Sequence, residues 1–175
     1  MMKITFLYMF FLLAFPCSTH ASSDSFLISV NFKTATLFLS KAHQIIAAYP
    51  VVLPRATVQT RMRLTKVIYG EVTQVDYKPT WWPTENMLRH NPALPTAIPY
   101  GHPKHPIGLY RIRVHWINPE NPSFWVPIRI HGGAKDQHLT GKFSSGCVRM
   151  KDEDISSLVE HIDSGEARVS IEILP

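Results

Sequence analysis

Ile130-His131-Gly132-Gly133, then Ser144-Ser145-Gly146-Cys147-Val148-Arg149-Met150, bring a histidine, a cysteine and an arginine into one short stretch of chain. That set suits acyl transfer through a covalent intermediate, in which a sulfur attacks a carbonyl carbon and an imidazole moves the proton. A free thiol has a pKa of about 8.5 and is only a few per cent thiolate at neutrality, so it needs a neighbouring base or a positive field. His131 is the base and Arg149 the charge that this stretch offers. Gly146 permits the tight turn that exposes the sulfur, and the N–H groups of Gly146 and Cys147 are candidates to hold a developing oxyanion. Gly132 and Gly133 let backbone come close to a substrate.

Each residue also has a plainer reading. A lone cysteine is often a small buried hydrophobe, and a histidine at a strand end is often structural. Arg149 can pair with the Asp152–Asp154 cluster instead of meeting a substrate carboxylate or an oxyanion. The thiol and the imidazole occurring together, each beside glycine, favours the reactive reading for both. His138 reads as a solvated loop histidine. His102 and His105 sit among prolines without matching cysteine or acidic ligands, so no metal site is expected from them.

Residues 1–21 read as a secretory signal peptide: Lys3 supplies the positive start, Ile4 to Phe15 the apolar run, and Thr19-His20-Ala21 a small-residue cleavage site. The apolar run is shorter than the ~20 residues that cross a bilayer as a helix, so no stable membrane span is expected after cleavage. Cleavage removes Cys17, which leaves Cys147 without a disulfide partner in an oxidising compartment. Residues 22–175 fit one domain with room for a real core. The net charge of +5 falls by one with Lys3, which suits an anionic envelope polymer, but lysines and arginines are scattered and nucleic acid is not an expected partner.

The elements that must position the site read as mainly β, a sandwich or open barrel with one or two short helices. Phe26 to Leu39 breaks near Lys33-Thr34 as paired strands do. Tyr110, Ile112, Val114 and Trp116 alternate with Arg111, Arg113 and His115, and Trp125 to Ile130 and Val169, Ile171 and Ile173 read as strands too. Ile155, Leu158, Val159 and Ile162 fall on one helical face within Asp152–Asp163, with acidic residues at its start and Gly165 beyond its end. Lys41 to Ala48 fits a short helix or a strand pair. The proline-rich stretch from Tyr77 to Pro106 is expected to lack regular structure, and Trp81, Trp82 and Tyr100 either line a groove or pin that loop to the core.

The Ile130–Gly132 and Ser144–Met150 segments together resemble the signature of the L,D-transpeptidase catalytic domain, the YkuD family. The strands near Ser29–Pro50, the Lys78–Pro83 segment and the His105–Leu109 approach also follow that family's order. The resemblance implies an exported β-rich enzyme, without metal or organic cofactor, acting on peptidoglycan stem peptides. It implies that Cys147 attacks the carbonyl before the terminal D-Ala of a donor tetrapeptide, that His131 is the general base, and that an amine of a second stem peptide or of an envelope protein takes the acyl group. Ser145 stands where many members carry a second histidine and is read as a hydrogen-bond donor in the site, and the loop between His131 and Ser144 is shorter than usual. Water as the acceptor, giving a carboxypeptidase or cross-link hydrolase, and an envelope-binding protein without turnover are the competing readings.

Overall fold

The computed structural model describes residues 25–61, 67–117, 128–141, 143–163 and 168–175. Eight strands form one sheet: β1 (Phe26–Asn31), β2 (Thr36–Lys41), β3 (Gln44–Pro50), β4 (Ile68–Tyr77), β5 (Tyr110–Ile117), β6 (Ile130–Ala134), β7 (Val148–Lys151) and β8 (Val169–Leu174). Their spatial order is β3-β2-β1-β8-β4-β5-β6-β7. The chain leaving β3 then folds onto the far edge. Val52 N–H donates to Arg149 O at 2.8 Å, Arg149 N–H returns to Val52 O at 3.0 Å, and Ser144 N–H reaches Leu53 O at 2.8 Å. These bonds join the two ends of the sheet into a nearly closed barrel and cover part of the edge that β7 would expose.

The turns explain the early strands. Asn31 Oδ1 accepts from the N–H groups of Lys33 and Thr34, an Asx turn that ends β1. Ala42 and His43 both have positive φ, as a tight two-residue hairpin requires, so Lys41 to Ala48 is strand–turn–strand. The Trp125–Ile130 strand falls largely outside the described residues, and β6 itself starts at Ile130. The leader, its cleavage site and Gly165 also lie outside them.

Four helical segments occur among the described residues, more than the sequence predicts: α1 (Ala56–Arg61), α2 (Glu85–His90), α3 (Asp136–Leu139) and α4 (Asp152–Ile162). α2 corrects the expectation of an irregular Tyr77–Pro106 segment. Thr84 Oγ1 accepts from Met87 N–H, so a side-chain cap starts a helix too short to show an apolar period. α4 buries Ile155, Leu158, Val159 and Ile162 in one cluster with Ile28, Leu39, Ile112, Ile130, Met150 and Ile171. Each such fully buried side chain contributes about 2 kcal/mol of apolar burial, which anchors the helix that begins beside the site. Among the described residues no helix is long and apolar enough to cross a membrane.

β6 and β7 are parallel neighbours. A parallel pair needs a crossover of about a dozen residues, and the segment holding α3 supplies a short one. The reduced spacing is enough to carry the chain from His131 on β6 to Cys147 immediately before β7.

Candidate active site

Register across β4, β5, β6 and β7 sorts the side chains into two rows. Val75, Ile112, Ile130 and Val148 are cross-strand partners, and the last three have no exposed surface. One residue along, Asp76, Arg111, His131 and Arg149 are partners in the same way. Registered partners project from one face and successive residues from opposite faces, so this second row lies on the side away from the apolar row. Arg129 precedes Ile130, and Cys147 precedes Val148, whose N–H donates to Arg129 O at 3.0 Å.

His131 is buried at 8% exposure. Its Nδ1 lies 2.8 Å from Gly132 O and 3.3 Å from Ile107 O. Carbonyls only accept, so these contacts require the proton on Nδ1 and leave Nε2 as the lone-pair nitrogen. Burial pushes the imidazole pKa down to about 4, and the Arg149 and Arg111 charges push the same way against the two backbone bonds. At neutral pH the ring is uncharged and able to accept a proton.

Cys147 is half-buried, and it is the free cysteine among the described residues. Burial pushes its thiol pKa up, opposed by a backbone hydrogen bond at Arg129 and by the charges of Arg129, Arg149 and Arg111. Desolvation of the anion outweighs the three guanidinium groups. The resting pair is thus a neutral thiol and a neutral imidazole. Arg149 and Arg111 act on both groups, which puts thiol and imidazole in one charge environment.

Ser144, given no role by the sequence, organises the turn that carries Cys147. Its buried Oγ accepts from Gly146 N–H at 3.2 Å and Cys147 N–H at 3.0 Å, and it donates to Cys147 O. The two amides expected to meet an oxyanion are therefore turned inward on this hydroxyl, because backbone donors in a tight, partly buried turn must be paired. Gly146 has φ +154, and a Cβ there would meet nothing within 4 Å. Ser145 is exposed.

Asp152, in sequence the acidic start of α4 and an ion-pair candidate for Arg149, bonds instead to the backbone of two other segments. Its Oδ1 accepts from Leu109 N–H and Gly133 N–H, each at 3.0 Å. A Cβ on Gly132 would sit 2.1 Å from that oxygen, and one on Gly133 would sit 2.7 Å from Pro106 O. The room made by these glycines is filled by the protein's own carboxylate and loop, not by open space for a substrate. Arg149 Nη2 donates to Gly133 O at 2.9 Å, and its buried Nε has no hydrogen-bond partner among the described residues.

Several other candidates serve the loop before β5. His105 Nε2 lies 2.7 Å from Pro79 O, and His102 Nδ1 accepts from Lys104 N–H at 3.1 Å. Trp81 pairs its backbone with Ile98, while Trp82 and Tyr100 are exposed. His138 accepts from Lys135 N–H and so shapes the crossover. Among the described residues no three His, Cys, Asp or Glu side chains gather as a metal site.

A family model described as the L,D-transpeptidase catalytic domain, YkuD, matches residues 25–171. The probable L,D-transpeptidase ErfK/SrfK of Salmonella typhimurium is 34% identical over 110 residues, 57% of this chain and 31% of that protein. The probable L,D-transpeptidase YbiS of Escherichia coli is 34% identical over 103 residues, 53% of this chain and 29% of that protein. The match thus spans about a third of those relatives' length. In fold, the catalytic domain of an E. faecium L,D-transpeptidase, solved by NMR acylated by ertapenem, has a TM-score of 0.55 at 13% identity, covering 86% of this chain and 98% of that one. With the motif at β6 and the start of β7 in a matching fold and the family model covering most of its length, the chain belongs to the L,D-transpeptidase catalytic domain (YkuD) family.

Proposed function

We propose that this chain is an exported L,D-transpeptidase of the cell envelope, with residues 1–21 as its signal peptide and residues 22–175 as its periplasmic catalytic domain. Cys147 is the nucleophile and His131 the general base. The observation that carries this reading is the neutral, buried imidazole whose Nδ1 proton is held by Gly132 O. Nε2 is then free to take the S–H proton as sulfur attacks, which a neutral thiol of raised pKa requires.

The donor is a stem tetrapeptide of peptidoglycan. Sulfur bonds to the carbonyl carbon before the terminal D-Ala as the proton passes to His131. The tetrahedral oxyanion collapses, the C–N bond breaks, and the imidazolium returns the proton to the departing D-Ala amine. An amine from a second stem peptide, or a lysine of an envelope protein, attacks the thioester. His131 takes its proton, the amide forms and the thiol is regenerated. The Arg149 charge stabilises both thiolate and oxyanion, Ser144 and Gly146 hold the turn, and exposed Ser145 offers a hydroxyl to the bound peptide. No organic cofactor or metal takes part.

The test is product analysis by mass spectrometry after mixing the purified chain with a tetrapeptide donor, with and without an acceptor amine. A cross-linked dimer and free D-Ala are expected. Tripeptide alone, with acceptor present, would replace transfer by hydrolysis, and unchanged donor would contradict acyl transfer altogether.

A further inference from the structure

Arginines that are scattered in the sequence converge once the strands are in register. Arg111 and Arg113 on β5, Arg129 just before β6 and Arg149 on β7 accompany His131 and Cys147, with Asp76 as the carboxylate of the row. Asp76 Oδ2 accepts from Arg111 Nε at 2.6 Å and Arg113 Nε at 2.8 Å, so one carboxylate serves two guanidinium groups. Desolvation works to raise the Asp76 pKa, but bonds from Arg113 and Arg111 outweigh it and keep the group ionised. Positive charge remains in excess on this face, and Arg149 Nε is a buried donor without a partner among the described residues.

We propose that Arg129 and Arg111, the latter pinned by Asp76, form the subsite that takes the free carboxylate of the departing residue, so that the enzyme reads the C-terminal end of its donor. The inference rests on the acyl-transfer reading above and names what that site selects. A terminal carboxylate lies one residue from the scissile carbonyl, about 4 Å away, so whatever holds it must stand directly beside the sulfur. Arg129 O accepts from the N–H of Val148, the residue after Cys147, while Arg111 and Arg149 are the cross-strand partners of His131 on either side. Arg149 is tied through Nη2 to Gly133 O. Arg129 is exposed at the entrance of β6 and accessible to a ligand, and Arg111 is held rigidly by the Asp76 bond. A planar guanidinium matches a carboxylate with two parallel hydrogen bonds. Asp76 is in this arrangement a positioning residue. An internal peptide bond has no carboxylate at this distance, so the subsite confines cleavage to chain ends.

The experiment compares a tetrapeptide ending in a free carboxylate with its C-terminal amide, reading kcat/KM for release of the terminal residue. Intrinsic reactivity favours the amide, whose amine is the better leaving group. The wild-type enzyme is expected to prefer the acid by about 30-fold, and Arg129→Gln to bring that ratio below about threefold, the loss of a charge-assisted contact. The ratio does not depend on how much of a preparation is folded. A wild-type ratio near one, or a variant ratio equal to wild type, overturns the subsite and leaves acyl transfer standing. No release from either donor by wild type overturns acyl transfer itself and the subsite with it.

Discussion

Replacing His131 with glutamine is expected to lower kcat/KM for terminal-residue release by about a thousandfold, the usual scale for losing a positioned general base. The effect is large because the thiol has no other means of ionising. Burial holds its pKa above the ordinary value, so little thiolate exists at neutrality for a base-free route. The sign of the pH dependence follows. The base is competent when unprotonated, and burial has pushed its pKa down to about 4. Wild-type kcat/KM should hold level from neutrality to about pH 5 and fall as the pH nears 4, where His131 gains a proton. A preformed thiolate–imidazolium pair predicts the opposite at the thiol, namely full nucleophilicity towards alkylating reagents well below pH 8. A glutamine variant within tenfold of wild type would remove His131 from the base role.

The second large effect concerns stability. Gly132→Ala places a methyl 2.1 Å from Asp152 Oδ1, an overlap that forces the carboxylate off the Leu109 and Gly133 amides. Urea unfolding should show a loss of about 3 kcal/mol from this overpacking and the released donors. Asp152→Ala alone orphans the same two amides and should cost about as much. The double variant should be at least about 1.5 kcal/mol more stable than the sum of the two losses, because alanine at 152 leaves room for the methyl. Simple additivity would show that Gly132 is small for some other reason, contact with a substrate among them.

What was legible in the sequence was what depends on local pattern. The alternation of Tyr110–Trp116 and the helical face of Ile155–Ile162 reappear as β5 and α4, and the motif around Cys147 forms the turn before β7. What was not legible depends on which strands become neighbours. Arg111 and Arg113 looked like the wet face of a strand, and only the β4–β5–β6–β7 order brings them to Asp76, His131 and Arg149. Asp152 shows in sequence as a helix start and an ion-pair candidate for Arg149, while its actual partners, Leu109 and Gly133, come from two other segments. The direction of the Cys147 shift is not legible for a related reason. Charges can be counted along a sequence, while burial, the largest cause, cannot. α2 escaped because its six residues are held by a cap instead of an apolar period.

The most direct test is the mass of the enzyme itself, quenched during turnover of a tetrapeptide donor and mapped by peptide digestion. A thioester-linked tripeptide acyl group on Cys147 is expected in wild type, with neither adduct nor D-Ala release above background in Cys147→Ser. An adduct on another residue, or undiminished D-Ala release by the serine variant, would contradict the assignment of this sulfur as the nucleophile.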